Sequence, residues 1–197
     1  MSETAIIFGN GKSRKLIDFT KFCIEHQSQF VYGCNLVYEE FPVDVIVATD
    51  PLSQHKIYRD YEGNAELLFL DWSSVPSEMA AAASHRMDQN VSANDYTPHG
   101  CVISGEGNHT AMTYLRENDK VRNISMSDIP IEMSSGSMAM WDAAEKGYKN
   151  IFLAGFGDVD HAYYDQLRGD EERKKVLWEK ERRYLIEKYS EINWVYL

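Results

Sequence analysis

The chain has 197 residues, 44% of them hydrophobic and 26% charged, with a formal net charge of −11 at pH 7. Length and apolar content are enough for a buried core without a disulfide or metal staple, and they exclude a disordered chain. The acidic balance argues against binding double-stranded nucleic acid, where clustered Lys and Arg displace counterions, yet leaves room for one small anion held by backbone N–H groups and a lysine.

Thr4–Phe8 is a short apolar run that stops at Gly9-Asn10-Gly11, a strand followed by a turn. Ser13 is placed to cap a helix through about Glu25, with Leu16, Ile17, Phe19, Phe22 and Cys23 on its apolar side. Phe30–Cys34, Val43–Thr49 and Glu66–Leu70 read as the next three strands; the β-branched content of the second suits a strand covered on both faces. From Ser73 to Thr97 a Met/Ala-rich piece (Glu78–Met87) precedes a polar run (Asp88–Asp95), which predicts a short helix and an exposed loop or lid over about 73–98. Cys101–Ser104 and Asn123–Ser125 are short strand candidates around a helix predicted near Asn108–Glu117. Met138–Lys146 is a small-residue helix ended by Gly147, where a C-cap favours positive φ. Asn150–Ala154 is a strand, Gly169–Tyr189 a charged helix with Leu177, Tyr184, Leu185 and Lys188 as its packing stripe, and Ile192–Leu197 a last strand. Strands alternating with helices predict an α/β domain, three layers deep, with a mostly parallel sheet. With no repeat or linker, one domain over 1–197 is the simplest count.

Cys23, Cys34 and Cys101 are odd in number and show no CxxC pair, so a disulfide framework or zinc site is not expected and a reducing cytoplasm is the natural compartment. No run reaches the ~18 apolar residues of a membrane span, and no signal peptide is visible. Oligomeric state is left open, a homo-oligomer included.

In a parallel sheet, ligands bind beyond the C-terminal strand ends. Three clusters fall there. In Gly9-Asn10-Gly11-Lys12-Ser13 the glycines permit close backbone approach and the following helix start favours an anion; a tight turn with no ligand is the alternative. Asn35 and Asp50 each follow a strand. Asp50 is either an N-cap or a carboxylate facing the cleft toward a ribose, a hydroxyl or a metal ion, and Asn35 is either a turn residue or a ligand contact. Ser134-Ser135-Gly136-Ser137 opens a helix, serving as cap, anion site or both. Downstream, Asp158, Asp160 and His161 suit proton transfer or a divalent cation, or else form a polar surface loop.

Taken together, these blocks resemble a known group. Ile6-Ile7-Phe8-Gly9-Asn10-Gly11-Lys12-Ser13 is similar to the "GNGPS" opening of the Rossmann-like bacterial sialyltransferases acting on lipooligosaccharide, and of the motility-accessory-factor family that includes the archaeal hydroxymethylpterin pyrophosphokinase. Tyr32-Gly33-Cys34-Asn35 resembles their second-strand motif, and Asp44 to Pro51 the "PDYVVASDP" strand of the motility-accessory branch. Ser135 to Ala144 with Gly147 to Gly155 is similar to the Ser-Gly helix and "GYKEIYLSGID" signature of both. Lys12 stands where the motif has Pro, and Gly157 is inserted before Asp158. The resemblance implies a Rossmann-like fold and nucleotide-sugar contacts at Asn10, Asn35, Ser135 and Gly136.

The expected function is a nucleotide-dependent transferase, a sialyltransferase-like glycosyltransferase with a CMP-type nucleotide-sugar donor and a glycan or small-molecule acceptor. Gly9, Asn10, Gly11, Lys12, Ser13, Asn35, Asp50, Ser135, Gly136 and Ser137 would bind the nucleotide, with His161 and Asp158 catalytic. No tightly bound cofactor and no metal are needed. One alternative is a pyrophosphokinase-like enzyme using a nucleoside triphosphate and magnesium held by Asp50, Asp158 and Asp160. The other is a nucleotide-binding protein without catalysis.

Overall fold

Runs of Ile, Val, Phe and Ala with no charge build the central strands, because a strand covered on both faces has no place for polar side chains. The computed structural model describes residues 3–25, 30–72, 101–106, 109–114, 120–157 and 171–197, and these divide into two compact units, Met1–Val47 with Met133–Leu197, and Ala48–Glu132.

The first unit carries a parallel ladder in the order β3-β2-β1-β8-β9, with β1 Thr4–Phe8, β2 Phe30–Cys34, β3 Val45–Ala48, β8 Asn150–Ala154 and β9 Asn193–Tyr196. Alternation along each strand assigns its side chains to two faces. On one face Ile6, Phe8, Val31 and Ala154 pack with Phe22 of helix α1 (Phe19–Glu25) and with Val37. Phe8 stacks on Phe41 at 4.4 Å and meets Phe19 edge-on at 5.6 Å. On the other face Tyr32, the neighbour of Val31, donates its hydroxyl to Asp142 Oδ2 at 2.9 Å. Asp142 belongs to α3 (Ser135–Glu145), which packs on β1 and β2, and α4 (Glu171–Lys188) packs on α3. Helices on both faces of a parallel sheet make the three-layer α/β, Rossmann-like arrangement that the sequence predicts.

The second unit pairs β4 (Glu66–Leu70) with β7 (Val121–Ile124) in parallel and holds a hairpin of β5 (Cys101–Glu106) and β6 (His109–Tyr114). Its helix α2 (Pro51–Asp60) starts where Asp50 Oδ1 accepts the Ser53 N–H at 2.9 Å. Wholly buried Gln54 donates from Nε2 to the Ala48 and Leu70 carbonyls at 2.8 and 3.0 Å.

Three expectations change. The helix predicted over Ser13–Glu25 is two pieces: a 3-10 turn, Lys12–Leu16, then α1. Ile17 is extended between them, and Asp18 accepts the Lys21 N–H at 3.0 Å, so a second cap outcompetes continuous helix. The helix expected near Asn108–Glu117 is strand β6, with Glu106 facing His109 across the hairpin. Gly107 and Asn108 lie outside the described residues; as sequence signals, a Gly-Asn pair and the alternation in His109–Tyr114 favour a hairpin over a helix. The packing stripe of α4 is also displaced. Leu185 is buried, but Leu177, Tyr184 and Lys188 are exposed; Lys174, Trp178, Glu181 and Tyr189 share the sheltered side at helical spacing. Gly147 closes α3 at φ 82°, as the sequence predicts. The segment 73–98 lies outside the described residues. Among the described residues no helix is long and apolar enough to cross a membrane.

Candidate functional site

The strand order places a topological switch point at β1, whose neighbours are β2 on one side and β8 on the other. At such a point successive connections leave to opposite faces, opening a crevice at the C-terminal strand ends. The loop Gly9-Asn10-Gly11 emerges there from β1, and Gly155-Phe156-Gly157 emerges beside it from β8.

These two loops stay paired beyond their strands. The Gly9 N–H donates to the Ala154 carbonyl at 2.8 Å and the Gly11 N–H to the Gly155 carbonyl at 3.0 Å. Gly155 sits at φ 74°, a conformation suited to glycine. The close approach that Gly9 and Gly11 permit is therefore taken up by the β8 loop, and their two N–H groups are committed to it rather than to an anion. Asn10 behaves differently: its side-chain Oδ1 is buried with no hydrogen-bond partner among the described residues. An orphaned buried acceptor costs ~1–3 kcal/mol and marks a place where a donor is owed.

One residue that the sequence does not single out organises this loop. Arg14 is fully buried; its Nη1 donates to the Gly9 and Gly11 carbonyls at 3.1 and 3.4 Å. Its Nε and Nη2 grip Glu40 Oε2 and Oε1 at 3.1 and 3.0 Å. Glu40 lies at the end of the 3-10 turn Asn35–Glu39 that follows β2. Arginine in a polar Lys-Ser-Arg-Lys run gives no local sign of burial; only its partner 26 positions away reveals it.

Asn35 opens that same turn at φ 55° and is buried. Its Oδ1 accepts the Ser135 hydroxyl at 3.1 Å, so two residues expected to share a site are in direct contact. Ser134 caps α3: its Oγ faces the Ser137 N–H at 3.4 Å and the Ser137 hydroxyl at 3.1 Å. The Ser134 N–H and hydroxyl both donate to Glu181 Oε2 of α4, at 2.9 and 2.7 Å. A protein carboxylate thus sits beside the cap of the helix start expected to attract an anion, complementing its dipole.

Phe156 stands between the two segments. A Cβ on Gly9 would meet one edge of its ring at 3.1 Å, and a Cβ on Gly136 would meet the opposite edge at 3.0 Å. The ring is half-buried. Phe156 therefore separates the glycines of the first loop from the Ser135-Gly136 helix start, and a ligand touching both segments has to lie across this aromatic ring. Lys12 is exposed at the start of its turn and Ser13 is half-buried beside it. Asp50 belongs to the second unit, where its carboxylate caps α2. Asp158, Asp160 and His161 lie outside the described residues. Among the described residues no cluster of three His, Cys, Asp or Glu side chains is placed to hold a metal ion.

Cys34 ends β2 just before Asn35 and is buried. Burial pushes its thiol up to about 12, against a smaller lowering by the Arg14 charge. An acid whose pKa is raised on folding stabilises the native state fully below its ordinary value, 9.0, and that contribution is lost as the pH climbs toward about 12. Urea denaturation at about pH 8 and about pH 10.5 is expected to show a steeper alkaline loss for wild type than for Cys34→Ala. Equal slopes would show that this thiol does not drive the alkaline loss.

No protein-family model matches this chain, and comparison with curated proteins finds no match.

Proposed function

We propose that the chain binds a nucleotide at the crevice between β1 and β8 and uses it as an activated donor in a transferase reaction of the glycosyltransferase kind. The buried Oδ1 of Asn10, without a hydrogen-bond partner among the described residues and set in a glycine loop at the switch point of a parallel sheet, carries this reading. Its natural partner is a ribose hydroxyl or a base amino group, both donors. The Asn35–Ser135 pair, on the turn after β2 and the first turn of α3, supplies a second polar contact.

In this proposal the donor is a nucleotide-sugar of the CMP type, the acceptor a glycan or small hydroxyl compound. Negative charge developing on the departing phosphate is stabilised by the Lys12 side chain and by the Asn10 N–H, since the Gly9 and Gly11 N–H groups are bonded to the β8 loop. His161, soon after β8 in sequence, is the proposed base for the acceptor hydroxyl, with Asp158 beside it. The resemblance of the Gly-Asn-Gly and Ser-Gly blocks to the bacterial sialyltransferases points the same way.

A thermal-shift panel of nucleotides and nucleotide-sugars tests it, run with magnesium and with chelator. A ligand at 100 times its Kd stabilises by about 2.7 kcal/mol, which for a chain of this size raises Tm by roughly 5–10 °C. No shift from any nucleotide at millimolar concentration removes the proposal. A shift that vanishes with chelator moves it to the magnesium-dependent phosphoryl-transfer class.

A further inference from the structure

The Arg14–Glu40 pair lies beneath the first loop and meets it only through carbonyl oxygens of Gly9 and Gly11 among the contacts described above. The charge of Arg14 is opposed at close range by Glu40 on two N–H donors. Glu40 Oε1 also lies 3.5 Å from Lys15 Nζ, so one carboxylate serves both cations, and what the Arg14 contacts themselves offer a ligand is geometry.

That geometry follows from the peptide bond. A trans peptide carries its carbonyl and the next residue's N–H on opposite sides, and the described chain has no cis peptide. With the Gly9 carbonyl drawn to Arg14, the Asn10 N–H is directed away from the guanidinium. With the Gly11 carbonyl drawn there too, the Lys12 N–H is directed away as well. The alternate amides, Gly9 and Gly11, donate to the β8 carbonyls of Ala154 and Gly155. The loop is therefore sorted: two N–H groups to β8, two carbonyls to Arg14, and the Asn10 and Lys12 amides turned from that cation.

We propose that Arg14 and Glu40 form a positioning pair that presents the Asn10 and Lys12 amides to the phosphate of the bound nucleotide. The proposal rests on the nucleotide reading above and goes further: it names phosphate as the group held at these amides, and two residues remote from the ligand as the reason. Arginine is required because its planar fork reaches a carboxylate and two carbonyls at once, which a lysine ammonium does not.

The test uses the full chain and compares CMP with cytidine, or the monophosphate and nucleoside of whichever base shifts Tm most. In Arg14→Lys the monophosphate Kd is expected to rise about tenfold while the nucleoside Kd changes less than about twofold. Addition of the monophosphate is expected to move the Asn10 and Lys12 amide resonances in wild type, and much less in the variant. If Arg14→Lys does not fold, Glu40→Gln carries the same comparison. Parallel weakening of nucleotide and nucleoside, or unchanged nucleotide affinity in a folded variant, overturns the positioning role while leaving nucleotide binding intact. A wild-type chain that binds no nucleotide overturns the nucleotide reading and this proposal with it.

Discussion

Replacing Glu40 with alanine is expected to lower the unfolding free energy by about 3 kcal/mol, read by urea denaturation near neutral pH. Removing the partner of a buried charge leaves that charge without compensation, and such losses run to about 3–5 kcal/mol when both partners are buried. The lower end applies because Glu40 keeps 22% side-chain exposure while Arg14 has none, so water reaches the vacated side of the guanidinium. Two further consequences separate this from loss of an ordinary surface pair. First, the double variant Arg14→Met, Glu40→Leu is expected to recover much of the loss, because neither charge is then stranded. Second, Lys21→Ala, which breaks an ion pair exposed at 70% and 55%, is expected to cost no more than about 0.5 kcal/mol. A Glu40→Ala cost as small as that of Lys21→Ala would mean that Arg14 finds solvent or another partner, and that the pair does not hold the loop.

What the sequence discloses here, and what it hides, divides along the range of the interactions. β1, β2, β4 and β8 are legible because a doubly covered strand is a local property: several apolar residues in a row, then a turn. Gly147 is legible for the same reason, since the demand for positive φ at a helix end is met or not met by one residue. The continuous helix expected after Ser13 fails at Asp18, where two local signals compete and the cap wins. A Gly-Asn pair before the alternating His109–Tyr114 is a hairpin signal in the sequence, and it competes with helical spacing over the same residues. The site divides likewise. Asn35 and Ser135 stand out as polar residues after a strand and before a helix, and the fold brings them into contact 100 positions apart in the chain. Arg14, Glu181 and Phe156 escape notice because each acts through a partner distant in sequence. A buried arginine, a carboxylate beside a helix cap and a ring wedged between two glycines carry no local pattern.

Gly11→Ala is expected to destabilise the chain by about 3 kcal/mol, the upper part of the range for overpacking, because the obstacle is backbone. An ideal Cβ there would lie 2.5 Å from the Gly155 carbonyl oxygen and 2.9 Å from its carbon. A flexible side chain can swing aside; a carbonyl already accepting the Gly11 N–H at 3.0 Å cannot, short of breaking that bond and parting the β1 and β8 loops. The φ of Gly11 is −66°, which any residue adopts, so the penalty is contact alone. Gly157→Ala serves as the control: among the described residues nothing lies within 4 Å of its Cβ, its φ is not in the left-handed region, and its stability is expected to stay within about 0.5 kcal/mol of wild type. Because parting the loops also displaces the two carbonyls held by Arg14, the nucleotide binding proposed above is expected to be lost in Gly11→Ala and kept in Gly157→Ala. An alanine tolerated at Gly11 with full stability would show that the β1 and β8 loops are not locked together.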